Sequence, residues 1–228
     1  MAFQPYVAPE QLTKDRSEYA RKGIARGKSV IAIEYADGIL FLAENPSVTL
    51  HKVSEIYDRI AFAGVGKYSE FEDLRIAGIR LADLRGYSYG REDVTAKTLA
   101  NAYSQALSGI FTQQMKPYEV EILVAQVGDT PGETSLFHIL FDGSVADEDG
   151  YVAMGGRSEE LSDKLHDSYR PGGSLADALR TAVSAMSSVE ERTFEPHGLE
   201  VAALDRTRAR RKFRRLGQAE VAPILGGG

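Results

Sequence analysis

The spacing of apolar residues constrains this chain most, because it changes period several times in a fixed order. Val30–Tyr35 and Ile39–Ala43 are β-rich runs joined by Ala36-Asp37-Gly38, and Asp-Gly between apolar runs is a strong hairpin signal. Two further runs, Val53–Tyr57 and Arg59–Val65, lead into the tight passage Gly64-Val65-Gly66. The period then becomes helical. Phe71, Leu74, Ala77, Gly78, Leu81 and Leu84 recur behind Ser69-Glu70-Phe71-Glu72, which reads as a capping box. That helix is expected to stop at Gly86. A second is expected from about Val94 to Met115, with Leu99, Tyr103, Ala106, Ile110 and Phe111 on its apolar face and Lys116-Pro117 ending it. Strands follow at Val120–Val127 and Ser135–Phe141, with a short one at Tyr151–Met154. Two more helices, Ser158–Ser168 and Ser174–Ser187, precede a strand at Leu199–Leu204. The basic stretch Arg206–Arg215 suits an exposed edge strand around Phe213, since lysine and arginine guard an edge against aggregation. Strand pairs and helix pairs thus alternate. Two sheets packed face to face, each covered by a helix pair, would bury all four sheet faces. The expected fold is α/β (α+β), a four-layer αββα sandwich in a single domain spanning residues 1–228.

The segment before the first strand is different in kind. Residues 1–8 hold Phe3, Pro5 and Tyr6 without periodicity and read as a tail. Pro9-Glu10 can open a helix, because proline suits the first turn and an acid favours its positive end. Leu12, Tyr19, Gly23 and Ile24 lie near one stripe, so a helix is expected over 9–26. The following Gly27-Lys28-Ser29, taken with Gly23, imitates a phosphate-binding loop. It is one residue short, and it runs helix-then-strand, whereas an anion cradle needs strand-then-helix. A helix end closed by glycine and lysine is the expectation there. In N-terminal-nucleophile hydrolases the first strand begins with Thr, Ser or Cys, and the free amine of that residue is the base. Ser29 stands at that place, behind a helix that looks retained, which points to a relative that has lost the chemistry. The alternative is an active peptidase subunit, whose chain would start near residue 29. Gly86-Tyr87-Ser88-Tyr89-Gly90 spells G-x-S-x-G, but a nucleophile elbow needs a strand before it and a helix directly after. A helix precedes it here, and Arg91-Glu92-Asp93 follows as a linker.

Composition narrows the remaining classes. The chain has no cysteine, and His51, His138, His166 and His197 are scattered without ligand spacing, so neither a metal nor another cofactor is expected. His138 alternates with Phe137 and Ile139 and reads as a sheet-face histidine. Asp147-Glu148-Asp149-Gly150 reads as a solvated turn, although three acids could hold a cation. A net charge of −6 argues against nucleic acid as a partner. No stretch is long and apolar enough for a membrane span, and the N-terminus has no signal-peptide core, so a cytoplasmic protein is expected. Residues 217–228, ending in Gly226-Gly227-Gly228, read as a C-terminal tail.

The chain resembles proteasome subunits, in particular the α type of the actinobacterial 20S particle. The resemblance rests on Pro9-Glu10-Gln11, Arg16-Ser17-Glu18-Tyr19-Ala20-Arg21-Lys22-Gly23-Ile24-Ala25, Phe41-Leu42-Ala43-Glu44-Asn45-Pro46-Ser47 and the run from Leu50 to Arg59. Leu84-Arg85-Gly86-Tyr87, the run from Gln113 to Glu121 and Met154-Gly155-Gly156 extend it nearly end to end. It implies a non-catalytic subunit of a threonine-type peptidase complex, seven to each outer ring. The implied partners are the other α subunits of the heptameric ring, the β subunit and a hexameric proteasomal ATPase. It also implies an N-terminal helix crossing the place where a catalytic cleft would open. Lys52 falls where the family has the lysine that meets the terminal carboxylate of an ATPase tail, and Gly66 where a glycine lines the same pocket. Phe3, Gln4, Pro5, Tyr6 and Pro9 fall in the implied gate at the ring axis. The Tyr-Asp-Arg gate motif of archaeal α subunits is absent there, which implies closure by other contacts.

Overall fold

The computed structural model describes residues 8–226. The expectations for Phe3, Gln4, Pro5 and Tyr6, and for Gly227 and Gly228, lie outside the described residues. In chain order the elements are α1 (Pro9–Ile24), β1 (Val30–Tyr35), β2 (Gly38–Glu44), β3 (Val53–Tyr57), β4 (Ile60–Gly66), α2 (Tyr68–Ser88) and α3 (Ala96–Gln113). There follow β5 (Val120–Gln126), β6 (Ser135–Ile139), β7 (Val145–Glu148), β8 (Tyr151–Met154), α4 (Ser158–Ser168), α5 (Leu175–Glu190), β9 (Leu199–Asp205), β10 (Phe213–Leu216) and α6 (Gln218–Gly226).

Two five-stranded sheets form, ordered β10-β9-β2-β1-β8 and β3-β4-β5-β6-β7, and every pairing within them is antiparallel. Successive strand side chains point to opposite faces, so each strand feeds two cores at once. In β1, Val30 and Ala32 enter the layer between the sheets, where they meet Phe41, Ala61, Ala63, Leu123, Ala125 and Ala202. Ile31 and Ile33 point the other way, onto Leu161, Leu165, Leu179 and Met186 of α4 and α5. The second sheet repeats the scheme. Phe62, Ile122 and Val124 turn outward onto Phe71, Leu74, Leu99, Tyr103 and Leu107 of α2 and α3. This is the four-layer αββα sandwich that the alternation predicts. Both faces of each central strand are buried, which is why the strands read as continuous apolar runs.

The first hairpin has a shorter loop than Ala36-Asp37-Gly38. Tyr35 pairs with Gly38, so only Ala36 and Asp37 form the loop. Gly38 instead serves the sheet: a Cβ on it would come within 1.8 Å of the Leu204 carbonyl oxygen on β9.

Several local expectations are corrected. Ser69–Glu72 is not a capping box; α2 starts at Tyr68, no side chain caps it, and Glu72 pairs with Arg75 at 2.8 Å. Nor does Gly86 end that helix, which runs on to Ser88. A Cβ at Gly86 would lie 2.1 Å from the Tyr57 hydroxyl, so the glycine admits a neighbour without breaking the helix. The next helix begins at Ala96, later than Val94, and the Thr95 hydroxyl caps it by accepting from the Thr98 N–H at 3.2 Å. The acidic stretch at 147–150 is partly strand: Asp147 and Glu148 belong to β7 and pair with Phe137 and Leu136. Among the described residues no group of acids and histidines is arranged to hold a metal. The segment expected as a C-terminal tail carries α6, which buries Val221 and lays Ile224 and Leu225 on the outer core of the first sheet. Among the described residues no helix is long and apolar enough to cross a membrane.

Candidate functional site

α1 lies across one end of the sandwich. Its expected stripe is correct only in part: Ala20 and Ile24 are buried in the layer between the sheets, whereas Leu12 and Tyr19 are half exposed. Arg16 supplies the first clamp, donating through Nη1 to the carbonyls of Phe111 at 2.7 Å and Thr112 at 3.0 Å. These belong to the last turn of α3, where carbonyls lack partners within the helix and attract a cation. A second clamp forms at β5. Lys116 lies 5.5 Å from the centre of the Tyr19 ring and bridges Glu119 at 2.9 Å and Glu70 at 2.6 Å. Burial opposes the Glu119 charge, but Lys116, with Tyr19 and Lys67, outweighs it and lowers the pKa of the carboxyl. Gly23 permits the approach, since a Cβ there would stand 2.0 Å from Glu119 Oε2. Gly156 does the same beyond β8, where a Cβ would meet the Ala25 carbonyl oxygen at 2.5 Å. Ser29, directly before β1, is buried and follows Lys28 through an ordinary peptide bond.

At the same end the β2–β3 loop is folded around two polar side chains. Asn45 Nδ2 donates to the Leu50 carbonyl and to Glu200 Oε2, both at 2.7 Å, while its Oδ1 accepts from the Ser47 N–H at 3.0 Å. Glu200 Oε2 also accepts the Lys52 N–H at 2.9 Å, and Oε1 accepts the Val53 N–H at 3.2 Å and a bond from Arg215. His51 Nδ1 stands 3.3 Å from Oε1. Lys52 is therefore fixed by its backbone. Its Nζ donates to the Lys28 carbonyl at 2.6 Å. Burial lowers its pKa from 10.5 to about 8; Glu44 and Glu200 pull the other way, and Lys28 adds to the lowering. Glu44 is itself engaged, by Lys28 at 3.1 Å and Arg192 at 2.6 Å. Among the described residues the Lys52 ammonium thus bonds a neutral carbonyl rather than a carboxylate, and two of its three donors have no partner there.

Gly66 ends β4 with φ of +104°, and a Cβ would fall 1.9 Å from the Glu119 carbonyl oxygen. Only glycine fits such a backbone without strain. Gly27 lies against it, with a built Cβ 3.0 Å from the Gly66 nitrogen. Lys52 and Gly66 therefore border one turn, 27–28: Lys28 receives the lysine and Gly27 packs on the glycine. Pro9 is the first residue of α1 and is exposed.

A family model described as "Proteasome subunit" matches residues 24–204. The chain belongs to the proteasome subunit family. Relatives named "Proteasome subunit alpha" are similar to it over nearly its whole length. The one from Frankia alni is 59% identical over 96% of this chain and 95% of its own. That from Acidothermus cellulolyticus is 59% identical over 96% of each, and that from Geodermatophilus obscurus 56% identical over 99% of this chain and 82% of its own. The family model begins at Ile24, the last residue of α1. The Geodermatophilus match, covering 99% of the chain, takes in the helix itself.

Within this proteasome-family fold, the two residues singled out by the resemblance, Lys52 and Gly66, lie beside one turn, and the residues that hold them were not anticipated. Glu200, Asn45, Lys28 and Gly27 complete the cluster. One signal was available for Glu200: a carboxylate inside a strand whose next four residues are apolar demands buried partners. The other motifs resolve differently. Ser88 is the last residue of α2, between the exposed Tyr87 and Tyr89, which is no setting for a nucleophile elbow. His138, on the sheet face as expected, pairs through Nε2 with Glu121 at 2.6 Å, and Glu121 Oε2 accepts the Gly155 N–H at 3.2 Å. The basic stretch Arg206–Arg215, which runs into β10, is largely engaged internally, by Glu55 for Arg211, Glu220 for Arg214 and Glu200 for Arg215.

Proposed function

We propose that this chain is the non-catalytic α subunit of a 20S proteasome core. Seven copies form each outer ring on the β subunits, gate substrate entry and dock a hexameric ATPase in the cytoplasm. The observation that carries this reading is α1, clamped by Arg16 and Tyr19 over the end of the sandwich. With that helix built into the fold, the nitrogen of Ser29 is an amide and cannot serve as the terminal amine that an N-terminal nucleophile needs as its base. α1 also leaves an exposed polar face, suited to contact with neighbouring subunits. Docking is assigned to Lys52 and Gly66, supported by the ammonium donors that have no partner among the described residues and by the meeting of both residues at the 27–28 turn. A compact ammonium suits the single carboxylate at the end of an ATPase tail. Residues Phe3, Gln4, Pro5 and Tyr6, leading to Pro9, are assigned to the gate.

The test is co-purification with the β subunit, followed by electron microscopy and intact-mass measurement. A stacked cylinder containing this chain with α1 retained is the expected result. A monomer in the presence of β subunit would count against the ring, and a chain beginning near residue 29 would establish the peptidase alternative.

A further inference from the structure

Glu200 is costly for β9 and pointless for its core. Its side chain is almost fully buried, 9% of the residue being exposed, and it registers opposite Ala43 in the first sheet. A buried carboxylate requires donors, and an apolar side chain at such a place is often as stable or more so. Two of the donors that Glu200 collects come from the other sheet's side: the N–H groups of Lys52 and Val53, where the chain enters the edge strand β3. Asn45 and Arg215 complete its shell. The Lys52 carbonyl is occupied in turn by the Gly64 N–H at 3.0 Å. Both sides of the Lys52 backbone are therefore held, and a shift along the strand would break the two bonds to Glu200 together.

We propose that Glu200 is the positioning residue for the Lys52 docking cation: its buried carboxylate fixes the peptide at 52–53 and so determines where the ammonium meets an incoming terminal carboxylate. This inference rests on the docking role given to Lys52 above. Glu200 acts through Lys52 and does not itself touch the tail.

Charge gives the proposal a signature that a merely structural role lacks. The charged and titratable groups around the ammonium are Lys28 before β1, Glu44 at the end of β2, Arg192 after α5, His51 in the loop, Glu200 on β9 and Arg215 on β10. Glu44 and Glu200 favour the charged lysine, against its burial and Lys28. Replacing Glu200 by glutamine removes one of the two. Replacing it by aspartate keeps the charge but withdraws the oxygens by one methylene.

The experiment uses barrels assembled with the β subunit and carrying wild-type chain, Lys52→Ala, Glu200→Gln or Glu200→Asp. The probe is a synthetic peptide of the last ten residues of the organism's proteasomal ATPase, as free acid and as amide. The readout is stimulated hydrolysis of a long quenched peptide, divided by each barrel's own unstimulated rate, against probe concentration and pH. Glu200→Gln should raise the half-maximal probe concentration about tenfold, as expected for lost charge-assisted bonds, and move the alkaline loss of stimulation to lower pH. Glu200→Asp should raise the concentration and leave the pH profile in place. Curves for both variants that superimpose on wild type, with Lys52→Ala unresponsive, would overturn the positioning role alone. Full stimulation of Lys52→Ala would overturn the docking role and the positioning role with it. Should Glu200→Gln fail to assemble, Glu200→Asp decides by its half-maximal concentration, an unchanged value overturning the proposal.

Discussion

Lys52 shows how much a single position gains from its surroundings. In the sequence it is one lysine among many, and at the surface of a charged protein that type ordinarily has no special role. In the fold it is anchored by its backbone, desolvated, and directed at a carbonyl oxygen. Lys52→Ala should abolish stimulation by ATPase tail peptides in the assembled barrel. Removing one partner of a buried carboxylate–ammonium pair costs roughly 2–5 kcal/mol, and titration of stimulated against unstimulated hydrolysis will show the loss. The depressed pKa gives a second expectation. The proposed docking needs the ammonium, so stimulation should be complete well below pH 8 and decline as the pH rises through about 8, where burial has placed this group. A lysine at the ordinary 10.5 would stay charged throughout that range. Stimulation that holds constant to pH 9.5 in an intact barrel would contradict this. Gly66 teaches the opposite lesson. Its φ and the nearby Glu119 carbonyl require glycine whatever binds there, so loss of docking in a Gly66 variant could not be credited to the tail contact alone.

Among the elements, α1 combines a weak local signal with strong distant anchors. Proline at its start and an acid in its first turn favour a helix, but few of its residues are buried and most of its face is polar. An isolated helix of this length is marginal in water. What keeps it on the sandwich is Ala20 and Ile24 in the core, Arg16 on the end of α3 and Tyr19 against Lys116. Arg16→Ala removes bonds from a cation to two carbonyls, worth roughly 1.5–3 kcal/mol. Hydrogen exchange should then quicken across α1 while the strands β1, β2 and β5 keep their protection. Equal loss of protection in α1 and in those strands would show that the helix does not open as a separate unit. The start of α2 marks the limit of local reading. Ser69 and Glu72 have capping-box spacing, yet Glu72 goes to Arg75, while Glu70 accepts the Glu119 N–H at 2.7 Å from a residue far along the chain. Spacing locates the helix; it cannot tell which carboxylate a distant strand will claim.

At the scale of the whole molecule, the chain covers one end of the sandwich with α1, and residues 1–8 precede that helix in the sequence. The proposed ring places seven such segments around one axis. Phe3 and Tyr6 give each copy apolar surface that a lone tail would leave in water. Deleting Met1–Ala8 should leave the ring intact, because α1 starts at Pro9 and its clamps lie further on. The truncated barrel should hydrolyse unfolded protein and long peptides faster, with little change for the smallest substrates. An unchanged rate with long substrates, in a truncated barrel seen intact by electron microscopy, would remove these residues from the gate.

The sequence by itself determined the layers. Periods of two and of 3.6 residues report which faces a segment must bury, and burial on both faces of two sheets leaves one way to stack helices and strands. It also determined that a helix precedes Ser29, through proline, charge and glycine at its ends. Only the tertiary structure decided what lies at the end of the sandwich. Glu200 reaches Lys52 across 148 positions of chain, and Arg16 reaches Phe111 across 95. No local period encodes such bonds, because they depend on where two sheets leave their strand ends. The same holds for Gly27, Gly66, Gly86 and Gly156, each of which looks like a turn or a helix break until its neighbour is in place. Periodicity records the environment of a face, whereas a site is made of points from many faces, brought together only when the layers close.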